Sequence, residues 1–159
     1  MDTGDAIRLL ALIILVILSS FFSSSETALT TVSKIRMRSL AENGDKHAKI
    51  VLSVTSDTGK MLSAILIGNN IVNLSASSIA TTLALKLIGS MGAGIATGLL
   101  TLIILIFGEI SPKTYASIYA DKIALKFAPF FKTYILILTP VIFIINILAY
   151  GFLRLFRLD

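Results

Sequence analysis

Oxygen-bearing side chains recur at helical spacing in three places along this sequence. Ser19, Ser23 and Glu26 stand at i, i+4 and i+7, so they share one helix face. Asn69 and Asn73 are again four apart, just after Gly68. Glu109 follows Gly108 and lies three residues ahead of Pro112. A proline has no N–H, and its ring crowds the carbonyl four residues earlier, here that of Gly108. Hydroxyl, amide, carboxylate and a released backbone carbonyl together form a set of oxygen donors. Hard cations prefer such donors, and Mg2+ takes six of them in an octahedron at about 2.0–2.1 Å. The chain has no cysteine and His47 is its single histidine, so it lacks the thiolate and imidazole clusters that favour zinc or copper.

Composition dictates the elements that must position these groups. Of 159 residues, 55% are hydrophobic and only 14% charged, and the mean hydropathy is +0.91. Soluble domains carry about 25% charged residues. A chain of this size has no interior large enough for so much apolar surface, so part of its solvent is lipid. A soluble globular enzyme is excluded, and so is intrinsic disorder, which requires low hydrophobicity. A hydrocarbon core of about 30 Å takes about 20 helical residues to cross. Four apolar stretches reach that length: residues 9–32, interrupted by Glu26; 61–85 and 87–108, both uncharged; and 127–153, with Lys132 as its one charge. The first is not read as a signal peptide, because Asp2 and Asp5 outweigh Arg8 in the segment before it.

Charge then orients the spans. The segment 33–60 holds Lys34, Arg36, Arg38, Lys46, Lys49 and Lys60, with a turn expected at Asn43-Gly44 between two short helices. Lys113, Lys122, Lys126, Lys132, Arg154 and Arg157 follow the third stretch, whereas 88–92 carries no charge. The positive-inside rule places the basic segments in the cytoplasm and the N-terminus and the 88–92 turn outside. The fourth stretch stays open on these grounds. Hydropathy makes it a span, but a span would carry Arg154 and Arg157 outside. The alternative is a long helix in the inner interface, broken or bent at Pro140.

An ionisable group at membrane depth is a functional hypothesis by default. Read singly, the serines and small residues are packing contacts between membrane helices, the asparagines can hydrogen bond between helices, and Glu26 and Glu109 can reach water at the interface. Read together, they make a polar site that binds or conducts a cation. Gly68 and Pro112 are the places where the helices could loosen to line it.

Three segments coincide in order with one known family: Leu18-Ser19-Ser20-Phe21-Phe22-Ser23-Ser24-Ser25-Glu26, then Gly68-Asn69-Asn70-Ile71-Val72-Asn73, then Phe107-Gly108-Glu109-Ile110-Ser111-Pro112-Lys113. Together these resemble the transmembrane domain of the CNNM/CorC magnesium transporters, over roughly residues 6–157. The resemblance implies an all-α membrane domain of three transmembrane helices, about 7–33, 60–86 and 93–110, with short cytoplasmic helices and a juxtamembrane belt helix at about 127–157. It implies a metal site of Ser19, Ser23, Asn69, Asn73, Gly108 and Glu109, binding Mg2+ as the transported ion, with Na+ as a coupling ion. Ser24 stands where the family often has glycine, and Glu26 is implied as a lining residue rather than a ligand. The implied partners are a second copy of the chain, the lipid bilayer and Mg2+ itself, with no nucleic acid and no enzymatic activity. The implied location is the bacterial inner membrane, with the C-terminus cytoplasmic. The nucleotide-binding CBS domains of the family lie outside these residues. The competing readings are a dimeric membrane anchor or regulator without conduction, and a transporter of another cation.

Overall fold

The computed structural model describes residues 2–156, and among these there is no β-strand. The helices are α1 (Thr3–Thr31), α2 (Lys34–Glu42), α3 (Lys46–Thr55), α4 (Thr58–Ile88), α5 (Ser90–Ile103), a π-helical segment (Ile104–Ile110), α6 (Ser111–Ile118) and α7 (Ala120–Leu155). Short polar side chains set the helix starts. Asp2 and Asp5 form a reciprocal capping box at the head of α1. Ser33, Asp45 and Asp57 accept from the first-turn amides of α2, α3 and α4. The expected turn at Asn43-Gly44 separates α2 from α3, with Gly44 at φ +93°. Gly89, at φ +82°, ends α4 and starts α5, a backbone conformation that β-carbon-bearing residues rarely adopt.

Four helical runs are long and apolar enough to cross a membrane: Thr3–Thr31, Thr58–Ile88, Ser90–Ile118 and Ala120–Leu155. Their surfaces carry exposed Ile, Leu and Phe along most of their length. Such an apolar exterior is stable only in lipid, so the chain is a multi-pass membrane domain.

α1 is the hub, packing along α4 on one side, against the π segment and α6 on another, and against α7 on a third. α1 and α4 run antiparallel in a constant register. Lys86 meets Asp5 at one end, Asn73 meets Ser19 midway, and Gly68 meets Phe22 one turn further on. The packed core lies toward the α2–α3 end. There Leu29, Met37, Val51, Met61, Ile65, Ala124 and Phe131 are buried together.

α7 is a single helix through Pro129 and Pro140; neither proline interrupts it. Its first residues are pinned by Asp121, which accepts from the Ser33 amide at 3.0 Å and from Arg36 Nη1 at 3.1 Å. The Leu125 carbonyl lies 3.0 Å from His47 Nδ1. Phe127, Phe130, Phe131 and Tyr134 then pack their rings on Phe21 and Phe22 of α1. Arg157 lies outside the described residues.

Gly68 does not act as the expected point of loosening. α4 is helical on both sides of it. A β-carbon there would run into the Phe22 ring and the Tyr134 hydroxyl, so this glycine allows close approach by α1 and α7.

Candidate cation site between three helices

α1, α4 and the π segment converge at the level of Ser19. Ser19 is buried, and its Oγ donates to Asn73 Oδ1 at 2.8 Å and lies 3.5 Å from the Gly108 carbonyl. Asn73 Nδ2 donates to Glu109 Oε1 at 3.3 Å. One polar chain therefore joins a hydroxyl of the first helix, an amide of the second and a carboxylate of the third. Gly108 makes this closeness possible, since a β-carbon there would sit 2.9 Å from Ser19 Oγ.

One helical turn along α1 and α4 bring Ser23 and Asn69 to the matching level of the antiparallel register. Ser23 is 0% exposed and Asn69 8%. Among the described residues, Ser23 Oγ and Asn69 Oδ1 are the buried side-chain polar atoms that lack a hydrogen-bond partner. A buried polar atom left unpaired costs about 1–3 kcal/mol. The two lie one helical turn from the connected polar chain, Ser23 from Ser19 and Asn69 from Asn73.

The third helix is irregular where it meets this site. Residues Ile104–Ile110 are π-helical, with the Ser111 amide bonded to the Ile106 carbonyl five residues back. Pro112 explains the break, because it cannot offer the amide that the Gly108 carbonyl would accept in an α-helix. Single π turns within α-helices gather at functional positions. This one carries Gly108 and Glu109.

The remaining nominated groups lie at the edges. Glu26 pairs with Lys113 of α6 at 3.5 Å. Ser24 Oγ donates to its own helix, at 3.1 Å to the Phe21 carbonyl. Asn70 is exposed. Among the described residues no three of His, Cys, Asp or Glu gather to hold a metal. Any ion held here would rely on neutral oxygens and Glu109 for charge.

Sequence reasoning overlooked a second cluster, at the opposite end of α1. Lys86 Nζ lies 2.7 Å from Asp5 Oδ1 and 3.0 Å from Asp2 Oδ2, and Asp5 is buried. The Lys86 hydrogen bond holds the Asp2 carboxyl below its ordinary value. The available signal was one basic residue at the far end of α4, opposite two acidic ones at the head of α1. Tyr134 was also missed; its hydroxyl donates to the Ala64 carbonyl at 2.7 Å, tying α7 to α4.

Fold and site define a helical membrane domain with a polar cluster between three of its helices, consistent with a membrane transporter or a related protein. The sequence profile of CNNM, the cyclin M transmembrane N-terminal domain, matches residues 10–158, and the chain belongs to that family. It is 41% identical over 144 residues to a UPF0053 protein of Haemophilus influenzae, covering 91% of this chain and 34% of that one. It is 35% identical over 138 residues to the UPF0053 inner membrane protein YfjD of Escherichia coli, covering 87% of this chain and 32% of that one. A more distant relative, 24% identical over 95% of this chain and 38% of its own length, is the polyamine export protein of Haemophilus influenzae. The chain thus spans about a third of the length of these relatives.

Proposed function

We infer that this domain transports Mg2+, exporting it in exchange for entering Na+, with the ion held between α1, α4 and the π segment. The observation that carries this reading is the pair of unpartnered oxygens, Ser23 Oγ and Asn69 Oδ1, beside the Ser19–Asn73–Glu109 chain. With the Gly108 carbonyl, the set offers six oxygen donors, the number Mg2+ takes. Neighbouring oxygens in an octahedron of about 2.1 Å radius stand about 3.0 Å apart. Ser19 Oγ and Asn73 Oδ1, hydrogen-bonded at 2.8 Å, would need to part by only about 0.2 Å to share an ion. Glu109 supplies the single negative charge that repays part of the ion's lost hydration. Alternating access then turns on the π segment above Pro112 rather than on Gly68.

The domain works as a homodimer of three-span protomers in the inner membrane, with the N-terminus outside and α7 as a belt on the cytoplasmic side. The course of α7 supports the belt. Asp57 and Lys60, at the head of α4, share one groove with Lys132 and Ile135 and a second with Phe143, Asn146 and Tyr150. Residues 132 to 150 of a helix extend about 27 Å. A helix running alongside α4 would leave that short segment behind; one that crosses its end stays beside it.

Mg2+ flux from proteoliposomes carrying the pure chain, under an imposed Na+ gradient, tests the reading. Flux lost in Asn69→Leu and Glu109→Gln supports it. Absence of flux in the unaltered chain favours a membrane anchor or regulator. The name of the polyamine-exporting relative makes a polyamine the rival cargo, since its ammonium groups would also seek unpaired oxygens. Spermidine that competes with Mg2+ and is itself carried would replace Mg2+ in the proposal, as would Mn2+ or Co2+ carried in preference.

A further inference from the structure

A cavity of about 500 Å3 lies next to the cation site, walled by α1, the π segment, α6 and α7. Its lining is largely apolar, with Phe107, Pro112, Ile123 and Phe127 beside the hydroxyls of Ser20, Ser24 and Ser111. Tyr115 and two lysines one helical turn apart, Lys122 and Lys126, line it as well. The Lys122 ammonium stands 5.9 Å from the Tyr119 ring centre and the Lys126 ammonium 5.8 Å from that of Phe127. The neighbouring cations are neutralised, Lys113 by Glu26 and Arg36 by Asp121. Among the described residues no carboxylate pairs with Lys122 or Lys126.

We propose that this cavity holds one anionic phospholipid, its phosphate between Lys122 and Lys126 and an acyl chain along Phe107 and Phe127. Two unpaired ammonium groups call for a negative charge. The apolar part of the lining, Phe107, Pro112 and Phe127, calls for a hydrocarbon chain, which a soluble phosphate cannot provide. Phe107 is 61% exposed and Tyr115 58%, so the cavity opens onto the apolar outer surface from which a lipid would enter. Tyrosine and lysine are the side chains that settle at headgroup level, and basic pockets between membrane helices bind anionic headgroups. The lipid would lie against Phe107 and Pro112, on either side of Gly108 and Glu109. The proposal does not depend on which cargo the cation site carries.

Native mass spectrometry of the detergent-solubilised chain, given equal phosphatidylglycerol and phosphatidylcholine, tests it. Wild type is expected to retain one phosphatidylglycerol in preference. Replacing both lysines (Lys122→Gln with Lys126→Gln) is expected to cut that preference about tenfold, and each single replacement by an intermediate factor. The control pair Lys34→Gln with Lys46→Gln removes equal charge from the exposed α2–α3 segment and is expected to leave it within about twofold. Unchanged circular dichroism verifies the fold of each variant. No preference in wild type, or equal loss in both double variants, would overturn the proposal. Release of the lipid by millimolar inorganic phosphate would also overturn it, by making a soluble phosphate the occupant.

Discussion

Ser19 Oγ donates to Asn73 Oδ1 at 2.8 Å across the contact between α1 and α4, and Asn73 hands the connection on to Glu109. Asn73 is thus the middle link of a chain through three helices. Hydrogen bonds between membrane helices are worth about 0.6 kcal/mol on average and at most about 1.7. A double-mutant cycle with Ser19→Ala and Asn73→Ala, read by reversible unfolding in detergent, is expected to give a coupling energy in that range. A coupling of zero would mean the two side chains act independently.

Ser23 and Asn69 should behave in the opposite way. Each buries an oxygen with no partner, so each costs stability when no ion is present. Ser23→Ala and Asn69→Leu are expected to leave the ion-free thermal midpoint unchanged or to raise it, by the equivalent of about 1 kcal/mol. Both are expected to lose the stabilisation that Mg2+ gives the unaltered chain. A fall in the ion-free midpoint would show that these side chains have a structural role instead.

Gly108 separates packing from chemistry. A β-carbon there meets Ser19 Oγ at 2.9 Å, so Gly108→Ala should push α1 away from the π segment, at about 1–3 kcal/mol. Adding Ser19→Gly removes the colliding hydroxyl along with one proposed ligand. The double variant is expected to regain thermal stability but not Mg2+-dependent protection from proteolysis. Recovery of both would remove Ser19 from the ligand set.

Pro112 leaves the third helix one amide short. Pro112→Ala restores a donor for the Gly108 carbonyl and is expected to let Ile104–Ile110 relax toward α-helical geometry. Slower hydrogen exchange over residues 104–114, with reduced Mg2+ flux, is the expected pair of results. Faster exchange would show that the proline stabilises the segment rather than interrupting it.

The Asp2–Lys86 contact has a defined pH signature. The folded carboxyl titrates below its ordinary value of 3.8, so the stability it contributes is present above that pH. It is lost as pH falls through the lowered folded value. Lys86→Gln should flatten the dependence of the thermal midpoint on pH in the acid range below about 4 and leave its slope between pH 6 and 8 unchanged. An unchanged acid-range slope would mean the pair is not formed in solution.

Much of this domain was legible in its one-dimensional pattern. Apolar runs longer than a bilayer crossing have one stable solution, a helix in lipid, and the turn at Asn43-Gly44 separates the two short polar helices α2 and α3. Helical periodicity alone put Ser19 with Ser23 and Asn69 with Asn73. Pro112 announced a fault in the helix near Gly108. Periodicity assigns residues to faces, but it is silent on which face meets which. The antiparallel register of α1 and α4 decided that Ser19 reaches Asn73, that Asp5 reaches Lys86, and that Gly68 is a packing contact rather than a hinge. How α7 packs against the other helices was not legible in hydropathy, which carries no information about partners. Its position rests on Tyr134, Asp121 and the Phe21–Phe131 stack, contacts between residues far apart in the chain. Local chemistry determines which segments are helical and which side chains are polar; only packing decides which polar atoms are paired and which two are left waiting.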